Sequence, residues 1–299
     1  MKVKRVHVIV NPASGQDRPI LKTLNSVFRE YGIEWEMFLT KEKGDGTRLA
    51  TEAAVAGVDV VAVYGGDGTV REVTTGLLDT NVPILILPGG TANAMALELG
   101  IPSELPAAAS LVSCGECETR SVDVGMMNGE AFLIGVGLGV PGEIAETANR
   151  AAKDRLGVVA YLVSSIQALR NAETVRYRVT IDGETFESEG VSALIMNAGQ
   201  FGIPGVTIAP SVNMADSKLD LFIFRSKSLP ALVSLAASVV RQDEEAGAYD
   251  QYQGREITVE ATPAQPVQVD GEVLPPGPVS AKMLPRAARY IVPADAPAA

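Results

Sequence analysis

Residues 58–71, Val-Asp-Val-Val-Ala-Val-Tyr-Gly-Gly-Asp-Gly-Thr-Val-Arg, constrain the fold more than any other part of this chain. A largely β-branched run stops at Gly65-Gly66-Asp67-Gly68-Thr69, and Val70, Val73, Leu77 and Leu78 then fall on one helical stripe. The pattern predicts a buried strand, a glycine turn and the start of a helix. Glycine at 65, 66 and 68 lets the backbone turn sharply and brings N–H groups close to a bound group. The free amides and positive end of the new helix favour an anion such as phosphate. A carboxylate among those donors repels phosphate unless a divalent cation lies between them, so Asp67 points to Mg2+ near the phosphates. The plainer alternative is a tight loop in which Asp67 or Thr69 only caps the helix.

The chain's 299 residues can bury two sizeable cores, and a net charge of −11 argues against nucleic acid as the main partner. Anionic membranes are disfavoured on overall charge too, which leaves local basic clusters such as Lys41 with Lys43, or Arg225 with Lys227. The basic start at Lys2, Lys4 and Arg5 leads into a short apolar run broken by His7, without a cleavage site, so no signal peptide is read. Residues 229–240, the longest apolar stretch, are too few to span a bilayer and contain Pro230, Ser234 and Ser238. A cytoplasmic protein with no transmembrane segment is expected; a homodimer is left open. Cys114 and Cys117 have the spacing of a redox pair or half a zinc site, but they are the only cysteines and His7 is the only histidine. Incidental thiols are the better reading, and histidine-based triads and metal sites have little to work with.

Strand, loop and helix recur in that order through the first half. A strand over 5–10 breaks at Asn11-Pro12-Ala13-Ser14-Gly15 before a helix over 20–31; a strand over 34–39 leads through 40–46 to a helix over 47–56. Beyond the central glycine loop, a strand over 83–87 ends in Pro88-Gly89-Gly90-Thr91-Ala92-Asn93 and a short helix to Leu99. Strands alternating with helices imply a parallel sheet with helices on both faces, and ligands then bind beyond the carboxyl ends of the strands, where these loops lie.

Near Val122 the pattern changes to strand-like segments at 131–136, 175–181, 191–197, 219–224, 257–260, 267–269 and 279–283. One long helical region, 143–170, interrupts them, as two helices meeting at Gly157. The expected architecture is an α/β N-terminal domain over 1–123 and a β-rich C-terminal domain over 124–284, an antiparallel β-sandwich with helices. Residues 285–299 are read as able to return to the first domain, with a frayed tail from Ala294.

Several segments, in order and spanning nearly the whole chain, together resemble the diacylglycerol kinase catalytic-domain family, bacterial lipid kinases similar to sphingosine and ceramide kinases. They are Asn11-Pro12 with Gly15, the glycine loop at 65–69, Pro88-Gly89-Gly90-Thr91-Ala92-Asn93, Leu156-Gly157 with Tyr161, Ala209-Pro210 followed by Asp216 and Leu219-Asp220, and Asp270-Gly271-Glu272. The resemblance implies a first domain of the NAD-kinase/phosphofructokinase-like kind, with ATP and Mg2+ as cofactors. It implies that Gly65, Gly66, Asp67, Gly68, Thr69, Val70 and Arg71 hold the nucleotide phosphates, and that Thr40, Thr91, Asn11, Gly90 and Asn93 complete the nucleotide site. Glu272 falls on the family's general base, beside Asp67 as the other catalytic residue. A further Mg2+, outside the catalytic centre, is implied at Asp216 and the backbone carbonyls of Asn213 and Lys218.

Phosphoryl transfer needs a γ-phosphate and a hydroxyl held in line, a cation to offset charge, and a carboxylate to take the proton. On their own residues, Asp270-Gly271 also reads as a hairpin turn joining 265–269 to 278–283, and Ala215-Asp216-Ser217 as an Asx turn. The chain departs from the family's pattern at Gln16, where a basic residue is common and Arg18 or Lys22 could substitute, and at Ala94, Ser217 and 201–205; Arg155 stands where relatives often carry a basic residue. The expected function is an ATP-dependent lipid kinase with the nucleotide between its two domains, acting on diacylglycerol, a sphingoid base or a related lipid at the membrane surface. Residues 229–240 are either a membrane contact or a buried helix. The alternatives are a soluble kinase of the NAD-kinase class, which shares a Gly-Gly-Asp-Gly-Thr loop, and a catalytically weak nucleotide-binding regulator.

Overall fold

The computed structural model describes residues 3–14, 19–112, 117–139, 173–200, 211–225 and 249–296. Gly15, Gln16, Arg18, Cys114, the helical region 143–170 with Arg155, Leu156, Gly157 and Tyr161, residues 201–210, the stretch 229–240 and the tail from 297 lie outside these residues. The chain divides into two units, 1–122 with 286–299, and 123–285.

The first unit runs β1 (Arg5–Val10), α1 (Ile20–Glu30), β2 (Glu34–Leu39), α2 (Asp45–Val55), β3 (Val60–Gly65), α3 (Asp67–Leu77), β4 (Ile84–Pro88), α4 (Ala94–Glu98) and α5 (Leu105–Ser110). Its strands are parallel neighbours in the order β2-β1-β3-β4. β3 and β4 are buried along their whole length, as continuous apolar runs require when both faces are covered, while β2 at the edge is half exposed. The chain passes from β1 through α1 to β2, then back across β1 through α2 to β3 and on through α3 to β4. Right-handed crossovers therefore put α1 on one face and α2 and α3 on the other. The contacts agree: α1 packs on α5, and α2 packs on α3. Register sets Leu39, Val10, Tyr64 and Leu87 level with one another, so the loops that follow all leave from one edge of the sheet.

β5 (Cys117–Met127) carries the chain from the first unit to the second. There follow β6 (Glu130–Phe132), β7 (Gly135–Leu138), β8 (Val175–Ile181), β9 (Glu184–Gly190), β10 (Ser192–Met196), β11 (Leu219–Phe224), β12 (Tyr249–Gly254), β13 (Glu256–Thr262), β14 (Val267–Val269) and β15 (Glu272–Leu274). β16 (Val279–Pro293) leads back, and its Tyr290 pairs with Ile84 of β4. Within the second unit, the first part of β16 joins β13, β8 and β9 in one antiparallel sheet, and the other sheet runs β12-β11-β10-β7-β14-β15. Their inner faces share a core that includes Phe132, Leu138, Tyr177, Ile195, Leu221 and Ile257.

The strand expected over 131–136 is broken in two at Leu133 and Ile134, whose N–H groups are taken by the Asp270 carboxylate rather than by a ladder. Among the described residues no helix is long and apolar enough to cross a membrane.

Candidate active site

In the first unit the strand order reverses between β1 and β3, the place where open α/β sheets bind ligands. Asn11, just past β1, donates its N–H to Tyr64 O at 2.9 Å and its Nδ2 to Thr69 Oγ1 at 3.0 Å, bridging the two strand ends. Gly89 and Gly90 both donate to Gly65 O, at 3.1 and 3.2 Å, so the two glycine loops share a backbone contact. A Cβ on Gly90 would lie 2.5 Å from Gly66 Cα, and only glycine permits that approach. Asn93, at φ 50°, closes the second loop by accepting from Gly90 N–H and donating to Gly90 O, both at 2.9 Å. Gly68 and Thr91 are exposed, Arg71 is half-buried and Val70 lies in the core. Among the described residues no atom outside this helix turn stands within 4 Å of the place a Cβ on Gly68 would occupy, so the first turn of α3 is open to an anion.

Asp67 opens α3, yet its carboxylate serves the other loop. Oδ1 accepts from Met95 N–H at 3.1 Å, and the N–H groups of Ala94 and Asn93 pull in the same sense. Desolvation outweighs these donors and pushes the carboxyl above its ordinary range. α3 has no side-chain cap of its own, so Asp67 caps α4 across the loop contact, and Thr69 bonds Asn11.

Thr40 follows β2, with its N–H on Val10 O at 2.9 Å. The loop beyond it is held by two carboxylates. Asp45 accepts from Lys41 and Glu42 N–H at 2.8 and 3.2 Å and from Arg48 Nη2 at 2.6 Å; the guanidinium lowers its carboxyl to about 2. Glu72, on α3, accepts from Gly44 and Gly46 N–H at 2.9 Å each.

In the second unit Asp270 and Gly271 have φ of 45° and 89° and form a two-residue turn between β14 and β15, with Val269 opposite Glu272. The hairpin partner is thus β15, not 278–283. Asp270 accepts from Leu133, Ile134 and Gly135 N–H at 2.8, 2.9 and 3.0 Å, so its carboxylate fixes the turn that presents the half-buried Glu272. Buried Asn197 donates to Asp123 O and Leu133 O at 3.1 and 3.0 Å, and Ser217 N–H donates to Asp123 Oδ2 at 2.6 Å.

The loop at 213–218 is made of Asx turns: Asn213 Oδ1 accepts from Ala215 N–H at 2.7 Å, and Asp216 Oδ1 from Lys218 N–H at 2.9 Å. Ser217 holds φ 64°, in the left-handed region that favours glycine. Nearby Asp220 is fully buried; Gln251 and Gln253 donate to its Oδ1 at 2.8 and 2.9 Å, while Oδ2 has no partner among the described residues. Burial pushes the Asp220 carboxyl up, and the field of Asp216 adds to that. An exposed carboxylate, a buried carboxylate oxygen without a partner and main-chain carbonyls are hard oxygen donors that suit Mg2+. Among the described residues no three His, Cys, Asp or Glu side chains are gathered around a metal position.

Among the described residues, Asn11, Thr40, Gly65 to Arg71, Gly90, Thr91 and Asn93 lie at the end of β3, on the loops that leave the same sheet edge or at the start of α3. Asn213, Asp216, Lys218 and Glu272 belong to the second unit. Sequence reasoning misses Glu72, Asp123 and Asn197. Thr69 and Glu72 even have capping-box spacing, which would assign Glu72 to its own helix, whereas its carboxylate reaches α2.

The diacylglycerol kinase catalytic domain profile matches residues 5–127, and the profile of the YegS C-terminal NAD kinase beta sandwich-like domain matches 135–292. The chain is 31% identical to the diacylglycerol kinase of Bacillus subtilis (strain 168) over 244 residues, 80% of each chain. It is 30% identical to the uncharacterized protein sll0036 of Synechocystis sp., over 98% of this chain and 71% of that one. A crystal structure from Bacillus anthracis str. Sterne, provisionally assigned as a diacylglycerol kinase, superposes with a TM-score of 0.82 at 30% identity, covering 98% of this chain and 97% of that one. The chain belongs to the diacylglycerol kinase catalytic-domain family, with a YegS-type β-sandwich as its second domain.

Proposed function

We propose that this protein is a lipid kinase that moves the γ-phosphate of ATP to a hydroxyl of diacylglycerol or a related lipid. Family membership supports a lipid kinase of the diacylglycerol kinase type, and the nucleotide and acceptor are our reading of the site. The observation that carries it is the contact of Gly66 with Gly90, which packs two glycine loops against each other at the switch point of a parallel sheet. The first turn of α3, exposed at Gly68, binds and orients the phosphates, while the N–H groups of Asn11, Thr40, Gly89 and Gly90, taken by Tyr64 O, Val10 O and Gly65 O, hold the surrounding loops in place. Mg2+, when bound, would offset charge on the phosphates, and Asp67 would hold it there while still accepting from Met95 N–H. Glu272 takes the proton from the attacking lipid hydroxyl, on a turn stiffened by Asp270. Asp216, with the carbonyls of Asn213 and Lys218, holds a second Mg2+ away from the reaction.

The test is transfer of labelled phosphate from ATP into mixed micelles containing diacylglycerol or a sphingoid base, beside transfer to NAD. Labelled lipid is the expected product, and Glu272→Gln is expected to slow it about a hundredfold or more, the usual worth of a positioned base. Label in NAD alone would make this a soluble kinase, no label in any acceptor would leave a nucleotide-binding regulator, and a fully active Glu272→Gln would remove the base assignment.

A further inference from the structure

We infer that Glu72 is the positioning residue that holds the Thr40 loop in register with the glycine loop. The inference rests on the nucleotide reading above and extends it to a side chain that touches no substrate. α2 begins at a glycine in the left-handed region, Gly44 at φ 91°, which has no side chain to satisfy the first-turn N–H groups. Glu72 supplies what is missing from another helix: one carboxylate oxygen accepts from Gly44 N–H and the other from Gly46 N–H, both at 2.9 Å. Thr47 Oγ1 donates back to Glu72 O at 2.9 Å, so the contact is made from both sides. A Cβ on Gly46 would sit 2.7 Å from Glu72 Cβ, so the helices approach this closely only because residue 46 is glycine.

Glu72 lies three residues past Thr69 on the helix that the glycine loop opens, and Gly44 ends the loop that begins at Thr40. Asp45 ties that loop to itself through Lys41 and Glu42 N–H, which fixes its shape but not its place. Thr40 N–H on Val10 O places its start, and Glu72 ties its far end to the helix of the glycine loop. A ligand that touches both loops then meets donors already spaced for it, and the ordering cost of binding falls.

The experiment measures three quantities in wild type, Glu72→Ala, Glu72→Gln and Gly46→Ala: ATP affinity in Mg2+ by calorimetry, amide exchange at 44–47, and kcat on whichever lipid is accepted. In Glu72→Ala the exchange is expected to quicken and ATP affinity to fall about tenfold or more, the scale of losing hydrogen bonds to a charged acceptor, with kcat within about twofold. Glu72→Gln keeps one acceptor and is expected between wild type and alanine. Gly46→Ala leaves the carboxylate in the chain but pushes it away, so it is expected to follow Glu72→Ala; these two variants carry the test if alanine at 72 does not fold. Faster exchange with unchanged ATP affinity in all three would make Glu72 a helix cap alone and overturn the inference while leaving the kinase reading intact. Wild type that binds no ATP would overturn both.

Discussion

At position 90 a missing side chain decides what two loops can do. Gly90→Ala drives a methyl group into the Gly66 backbone, and a backbone cannot swing aside as a side chain does. The variant is expected to lose about 1–3 kcal/mol of stability by urea unfolding, and ATP affinity with it. Gly68→Ala is the matched control, since among the described residues no atom outside its own helix turn lies within 4 Å of the added methyl. Stability should hold there while ATP affinity falls, because the methyl occupies the space assigned to phosphate. Asp45 gives a pH dependence with a definite sign. Its carboxyl falls from the ordinary 3.8 to about 2 in the folded chain, so the stabilisation is present above 3.8 and is lost as pH drops toward 2. Asp45→Asn should flatten that acid limb in melting temperature against pH and leave the neutral range shallow. The glycine loops were legible in the sequence because strand, turn and helix start sit next to one another there. The work of Asp67 was not: its carboxylate meets N–H groups at 93–95, and no local pattern brings the two stretches together.

Elements whose burial follows a period were readable, and those held by distant polar bonds were not. β1, β2, β8, β11 and β14 fall where apolar runs or alternation place them. β9, Glu-Thr-Phe-Glu-Ser-Glu-Gly, and β12, Tyr-Asp-Gln-Tyr-Gln-Gly, are polar strands at sheet edges, and they exist because a neighbour offers a ladder. The break between β6 and β7 is the clearest case, since its cause lies more than 130 residues downstream in Asp270. Asp270→Ala would leave the Leu133, Ile134 and Gly135 N–H groups without an acceptor and release the turn before Glu272. A loss of about 3 kcal/mol is expected in the second unit, from donors left unpaired, read by urea unfolding with exchange at 133–135. Asp270→Asn retains an acceptor oxygen and should fall between the two. If alanine unfolds no more easily than wild type, the clamp is not what holds the turn.

On the scale of the whole chain, the first unit is built from both ends of the sequence. Residues 286–299 return to it, and Tyr290 on β16 pairs with Ile84 of β4 and is fully buried. Its hydroxyl meets Thr74 Oγ1 at 2.6 Å, and Thr74 in turn donates to Val70 O at 2.8 Å in the helix opened by the glycine loop. The helix that the glycine loop opens therefore rests on a residue near the other end of the chain. Tyr290→Phe removes one buried hydrogen bond and should cost about 1 kcal/mol, whereas Tyr290→Ala also empties a core position and should cost about 3–5 kcal/mol. Exchange at β4 and α3 is expected to report that loss, with β10 and β11 of the second unit left as protected as before. A chain ending at 285 goes further, since it strips the neighbour from β4 and leaves a wholly buried, apolar strand as an open edge. It should bind ATP poorly and associate through that edge, while Tyr290→Phe keeps both affinity and solubility. Equal losses of protection in both units of Tyr290→Ala would mean that the tyrosine does not stabilise the first unit in particular, and that the returning strand is only a tether.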